Sequence, residues 1–276
     1  MRKSDRWPRG PTWWTESGTL YGSIPFTWNL PGARSKLMQR GLFHEGAVVG
    51  GPAVRLMPEY LTGIDGVKVD TGDMPGALQR VNPAATKTTT GCIRRCAFCA
   101  VPKLEGPLVE LDDWPDLPII TDNNLLGASQ PHFDRVIDRL AKHGRADFNE
   151  GLDSRLLTKY HAKRLSEIKK PTIRLALDSM QYSEKWSVAL DLLLSAGIAK
   201  SNIRSYALIG FDSDPVESWA RCEWIENNGP LALPMWFHEL DQMKPNIVTE
   251  KQGELGWNDF ERRRIMQWFY WHKRAA

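Results

Sequence analysis

"TTTGCIRRCAFCAVPKLEG", residues 88–106, gathers Cys92, Cys96 and Cys99 in the spacing C-x3-C-x2-C, three of the four cysteines in the chain. Just upstream, "ATKTTTG" (85–91) is rich in β-branched residues and reads as a strand, so the cysteines occupy a loop leaving a strand end. From there onward short apolar runs alternate with helical patterns. Strands are expected at 117–124, 146–154, 172–179, 203–211 and 232–240, and helices at 132–144, 158–170, 183–197 and 214–229. Gly144 stops the first of these helices and Pro215 starts the last. Six strands separated by helices predict an α/β fold with a parallel sheet, curled into a partial (β/α)6 TIM-like barrel. Sites in such folds lie at the C-terminal strand ends, where the cysteine loop sits.

The region before the cysteines differs. A strand at 20–28, a helix at 30–41 and a strand at 46–54 predict a small N-terminal βαβ segment over residues 1–86. The barrel is expected over 87–245 and a C-terminal helical extension over 246–276. The chain has 276 residues, 42% of them apolar and 25% charged, which suits a soluble protein with a sizeable core. No apolar run approaches the ~18 residues of a membrane span. The N-terminus lacks the apolar stretch of a secretory signal, so a cytoplasmic, membrane-free protein is expected. Net charge is +3, too weak to imply nucleic acid by itself.

Clustered thiols in a reducing compartment hold metal or do redox work. A structural zinc site asks for four ligands, and His44, His132 and His143 lack motif spacing. Three thiolates suit a [4Fe–4S] cluster in which one iron has no protein ligand and stays open to another molecule. Zinc and plain electron transfer are the alternatives. Cys222 lies in a helical pattern and reads as a core thiol.

The C-x3-C-x2-C spacing, the aromatic Phe98 just before the third cysteine and the place after the first of six strands resemble the radical S-adenosylmethionine (SAM) superfamily. The flanking sequence is similar to the barrels of methylthiotransferase-like members and of members carrying a cobalamin-binding domain. The resemblance implies an enzyme with a [4Fe–4S] cluster on Cys92, Cys96 and Cys99, and SAM on the open iron. Reductive cleavage of SAM gives a 5′-deoxyadenosyl radical that takes hydrogen from substrate. It also implies a one-electron reductant of flavodoxin or ferredoxin type.

SAM-holding residues carried over by strand position are Asp122, Asn123 and Asn124 after the second strand and Asn149, Asp153 and Arg155 after the third. Asp178 and Ser179 follow the fourth and Gly210 ends the fifth, with Phe98 at the adenine edge. Arg155 is the choice for the SAM carboxylate, because guanidinium pairs with carboxylate bidentately. Residues 48–78 are similar to the end of a cobalamin-binding domain. Only a shortened relic is expected, with no bound cobalamin, because no D-x-H-x-x-G segment is present. Nothing points to a domain for a second cluster or to an RNA-binding domain, so methylthiolation is not expected.

Two substrate classes remain open. Arg2, Lys3, Arg6 and Arg9 lie among Trp7, Trp13 and Trp14, and residues 261–274 place Arg262, Arg263, Arg264, Lys273 and Arg274 around Trp268, Phe269, Tyr270 and Trp271. Basic groups track phosphates and aromatic faces stack bases, so DNA or RNA modification is one reading, a modified thymine in viral DNA being one case. The C-terminal stretch reads first as a closing amphipathic helix packing through Ile265, Trp268, Phe269 and His272, and the N-terminus reads equally as a disordered tail. The other class is a small molecule or peptide bound by Trp236, His238, Glu239 and Gln242 near the last strand. A non-catalytic iron–sulfur protein is a third reading. No residue stands out as the one that steers the substrate radical.

Overall fold

A computed structural model of the chain describes residues 7, 8, 10–39, 46–72 and 74–271. The chain forms two units. One comprises Met1–Ala85 with His238–Pro245, the other Thr86–Phe237 with Asn246–Ala276. Residues 238–245, expected at the end of the barrel, thus cluster with the first unit. Residues 246–276, expected as an extension, cluster with the second.

The first unit is a four-stranded sheet in the order β1 (Thr12–Glu16), β2 (Thr19–Ser23), β3 (Ala47–Gly50) and β4 (Val67–Val69). β1 and β2 form an antiparallel hairpin closed by Ser17 and Gly18, both at positive φ as a tight two-residue turn requires. β2, β3 and β4 run parallel. Helix α1 (Leu30–Leu37) makes the β2-to-β3 crossover, while α2 (Pro52–Leu56) and α3 (Ala77–Val81) follow. The expected βαβ segment is therefore present inside a larger sheet. Its second strand stops at Gly50, because Gly51 takes φ 99 and Pro52 opens a helix. A Cβ on Gly51 would lie 2.8 Å from the Ile24 backbone nitrogen, so the tight approach there needs glycine. Ile24, Leu30, Leu37, Val49, Val54 and Leu61 form the core of this unit.

The second unit begins with β5 (Ala85–Thr86, shared at the boundary), then β6 (Thr89–Thr90), α4 (Val101–Leu104) and β7 (Val109–Glu110). β6 and β7 pair as a small antiparallel ribbon. There follow β8 (Ile119–Ile120), α5 (Gln130–His143), β9 (Ala146–Phe148), α6 (Lys159–Leu165), β10 (Pro171–Ala176), α7 (Ser183–Ser195), β11 (Ile203–Ile209), α8 (Pro215–Asn227) and β12 (Leu231–Trp236). The chain then adds α9 (Glu250–Glu254) and α10 (Asp259–Met266). The main sheet has six strands in the order β5-β8-β9-β10-β11-β12 and is open, since β5 and β12 are edges that do not pair. Register is fixed along β11, where Ile203, Ser205, Ala207 and Ile209 are buried and the alternate residues are half-buried.

Local signals set the helix ends. Ser129 caps α5 by accepting from the His132 N–H, and Gly144 ends it in a left-handed conformation. Asp214 caps α8 and accepts from the Glu217 N–H at 2.7 Å. Phe133, Ile137, Leu140, Trp186, Leu193 and Ile225 pack from the helices onto the sheet in one continuous core. Among the described residues no helix is long and apolar enough to cross a membrane.

Candidate functional site

The cysteine loop is closed at its base by its own backbone. Gly91 has φ 68, and a Cβ there would come within 2.0 Å of the Pro107 carbonyl oxygen, so glycine is obligatory. The Cys92 N–H then donates to the Gly106 carbonyl at 3.2 Å. Between these glycines the chain makes one excursion carrying Cys92, Cys96, Cys99 and α4. Glu105 anchors its return by accepting from Lys87 Nζ at 2.5 Å, the Gly91 N–H at 2.8 Å and Asn123 Nδ2 at 2.8 Å. Burial raises the Glu105 pKa, but Lys87, Gly91 and Asn123 outweigh it and hold the carboxyl below its usual range.

All three cysteines are free and half-buried. The Arg94 N–H donates to Cys92 Sγ at 3.3 Å and the Val101 N–H to Cys99 Sγ at 3.5 Å. Arg155, whose charged form is favoured first by Asp153, lies near enough to Cys96 for the sulfur to favour it further. Burial pushes the Cys99 thiol up, the Val101 N–H pulls it down, and nearby Cys96 and Cys92 add to the rise. The donor set, three free thiols on one loop with N–H and guanidinium partners at their sulfurs, fits a thiolate-held cluster. The sulfurs are not drawn into a ready cage: among the described residues no three His, Cys, Asp or Glu side chains are grouped at metal-holding separation.

The residues expected to hold SAM divide into two sets. Arg155 and Asp153 form a bidentate pair at 2.6 and 2.9 Å, and Arg94 Nε adds a third contact to Asp153 at 2.9 Å. The Arg155 guanidinium also lies 4.7 Å from the Tyr182 ring centroid. Phe98 meets Phe211 edge-on at 5.6 Å, and Phe211 meets Phe237 at 4.9 Å. Asp178 is pushed up to about 6 by burial, with Arg221 and the Leu208 N–H pulling it back. These groups lie near the cysteine loop.

The second set turns inward to the protein. Asp122 is buried and accepts from the Thr88 N–H at 2.6 Å, the Thr89 N–H at 3.0 Å and the Thr88 hydroxyl. It ties the first strand to the second. Asn123 spans Gly91 and Glu105. Asn124 is buried, ahead of a short 3-10 turn. Asn149 donates to Glu150, and its carbonyl accepts from the Tyr206 hydroxyl at 2.6 Å. Ser179 caps another 3-10 turn. Gly210, expected to admit adenine, instead admits Trp236: a Cβ would lie 2.4 Å from that indole.

The expected substrate residues do not form one group. Trp236 is buried, donates to the Ile247 carbonyl and packs edge-on against Trp257. His238, Glu239 and Gln242 belong to the first unit, where Gln242 is buried and its carbonyl accepts from Thr27 Oγ1. The C-terminal basic stretch is a packing helix. Ile265 and Phe269 are buried, Arg262 and Arg263 pair with Asp259, and Arg264 pairs with Glu261. His272, Lys273 and Arg274 lie outside the described residues, as do Arg2, Lys3, Arg6 and Arg9.

Sequence reasoning missed Lys87 and Glu105, while Glu150 stood beside Asn149 and Asp153 as an alternative contact for SAM or substrate. Glu150 is exposed at its surface, yet burial is the largest influence raising its pKa, opposed by Asn149 and Lys87. The one sequence signal was an acid closing "KLEG" and a lysine opening the strand, charges in an otherwise apolar or β-branched setting. No protein-family model matches the chain, and no curated protein matches it.

Proposed function

We propose that the chain is a radical SAM enzyme whose cluster is held by Cys92, Cys96 and Cys99. The observation that carries the reading is three free thiols on one closed loop that follows β5, the first strand of a six-stranded parallel sheet, by way of the short strand β6. The finer fold reading, a partial (β/α)6 barrel, is supported by the strand order. It follows the sequence without reversal, and crossovers of one hand then put successive helices on the same face and curl the sheet.

When bound, a [4Fe–4S] cluster supplies one electron, drawn from an external reductant, that cleaves SAM to methionine and a 5′-deoxyadenosyl radical. The protein's part is to hold, orient and exclude. Gly91 and Glu105 fix the loop that presents the thiols. Asp153 holds the Arg155 guanidinium flat beside Cys96, ready to meet a carboxylate. Phe98, Phe211 and Phe237 form an apolar wall that keeps water from a reactive carbon centre. A nucleobase in a polynucleotide is the first substrate class to test, and a small molecule or peptide the second.

Anaerobic reconstitution with iron and sulfide, followed by SAM and dithionite, tests the reading. It predicts 5′-deoxyadenosine and methionine in equal amounts, and none from Cys92→Ser, Cys96→Ser or Cys99→Ser. An iron–sulfur protein that leaves SAM intact would be a carrier and would refute the enzyme reading.

A further inference from the structure

The sequence places Asp153 among the SAM-holding residues, yet its carboxylate is filled from within the chain. Oδ1 accepts the Arg155 Nε–H at 2.6 Å and the Arg155 backbone N–H at 3.1 Å. Oδ2 accepts from Arg155 Nη2 at 2.9 Å and from Arg94 Nε at 2.9 Å. These donors use up the roughly four lone-pair sites of a carboxylate. Asp153 has no oxygen left for a ligand, and what it holds is two guanidiniums.

The carboxylate stands on a fixed support. The Leu152 N–H donates to the Arg174 carbonyl at 2.7 Å, and Leu152 bridges to Leu175 of β10. The Leu156 N–H closes onto the Asp153 carbonyl at 3.0 Å. The Asp153 side chain is 9% exposed. Burial would raise its pKa, but Arg155 and Arg94 outweigh it and keep the carboxyl charged. The two arginines arrive from different places. Arg155 lies beside Cys96, with its guanidinium over the Tyr182 ring. Arg94 belongs to the cysteine loop, 59 residues before Asp153, and its backbone N–H meets the Cys92 sulfur at 3.3 Å. One carboxylate thus joins a residue that touches Cys92 to a residue beside Cys96.

A guanidinium pairs bidentately with a carboxylate only when the two planes align. Arg155 spends its Nε–Nη2 edge on Asp153, so the Asp153 plane fixes the direction of the edge that remains. The last torsion of an aspartate is soft by itself. Arg94 is the contact on Oδ2 that comes from outside residues 153–155, and it stops that plane from turning. We propose that Arg94 is a positioning residue: acting through Asp153, it aims Arg155 at the SAM carboxylate, so that SAM is held correctly only when the cysteine loop is in place. The inference rests on the radical SAM reading and adds to it a link between loop position and SAM binding.

The test has a loaded and a metal-free arm. In the first, SAM is titrated into reconstituted, dithionite-reduced protein and the shift in the electron paramagnetic resonance signal is followed. Arg94→Gln and Asp153→Asn should each raise the half-saturating SAM concentration about 10-fold at unchanged iron content. The double variant should be no worse than the weaker-binding single one, because both changes cut the same strap. Arg94→Lys should recover part of the loss, and it is the variant to read if melting shows that Arg94→Gln is unfolded. Arg95→Gln, on the exposed neighbour in the same loop, should behave as the parent. In the second arm, ¹H–¹⁵N NMR of the metal-free chain follows exchange of the Arg155 Nε–H with water, assigned by its loss in Arg155→Lys. Exchange should quicken about 10-fold in Arg94→Gln and stay unchanged in Arg95→Gln. Parent-like SAM binding by Arg94→Gln, additive losses in the double variant, loss of iron in step with loss of SAM binding, or an unaltered Arg155 signal would each overturn the proposal. A parent cluster that ignores SAM would sink the enzyme reading, and with it the aim at SAM. The metal-free arm would still decide whether Arg94 holds Arg155.

Discussion

Glu105 accepts the Gly91 N–H at 2.8 Å, so the residue that follows the cysteine-bearing excursion grips the residue that precedes it. The same carboxylate takes Lys87 and Asn123, which makes it the point where the first strand, the loop and the second strand's end meet. Glu105→Ala leaves three donors without their acceptor and should cost about 1–3 kcal/mol. Glu105→Gln keeps an acceptor oxygen but loses the charge opposite Lys87, and should cost less. Urea unfolding of the metal-free protein measures both, and parent-like stability of the alanine variant would contradict the clamp.

Arg221 is fully buried, and its guanidinium spans three partners: the Asp178 carbonyl at 2.5 Å, the Leu208 carbonyl at 2.7 Å and Glu217 at 2.9 Å. It ties α8 to β11 and to the end of β10. Arg221→Met should lower stability by about 3 kcal/mol, since two buried carbonyls lose a charged donor. The nearby Asp178 carboxyl, raised to about 6 by burial, also loses the charge that restrains it and should titrate at still higher pH. Two-dimensional NMR of the carboxyl carbon reads that shift.

His132 is buried among Thr88, Arg135, Glu110 and the Trp114 ring. Burial lowers its pKa, Glu110 pulls the other way, and Arg135 lowers it further. Because the folded pKa lies below the unfolded one, the unfolded chain binds the extra proton first. Stability is therefore whole above about pH 6.5 and falls as pH drops through the unfolded pKa, by at most about 1.4 kcal/mol per pH unit for this group. His132→Gln should flatten that fall. His161, also lowered by burial, keeps the slope from vanishing. Denaturation midpoints at pH 5 to 7 check the difference, and identical slopes would exclude His132 as its source.

Cys222 is buried and its thiol is pushed up to about 12 by burial, whereas the other three cysteines are half-buried. Only a thiolate alkylates readily. Native metal-free protein treated with iodoacetamide should gain three adducts by mass and a fourth only on unfolding. Four adducts on the native chain would contradict the core placement of Cys222.

The sheet of the second unit was readable because its strands and helices differ in period and carry stop and start signals in the sequence, as with Gly144 and Pro215. The strand β1 was not, because "TWWTE" shows no clean alternation and only its pairing with β2 defines it. Long-range partners explain the other misses. Asp122 sits in an Asx-rich turn that looks ligand-facing, and its real partners, Thr88 and Thr89, are more than thirty residues away. Gly210 looked like room for a ligand, but the occupant of that room is Trp236, supplied by the next strand. The arginines at 262–264 looked like a phosphate-binding run, yet their acids, Asp259 and Glu261, lie one helical turn back in the same sequence.

The central claim is that Cys92, Cys96 and Cys99 together leave one iron for SAM. Electron paramagnetic resonance of the reconstituted, dithionite-reduced protein, recorded with and without SAM, tests it most directly. The account predicts a [4Fe–4S]⁺ signal whose g-values shift on adding SAM and which is lost in each cysteine-to-serine variant. A signal indifferent to SAM, or a protein that takes up zinc and no iron, would contradict it.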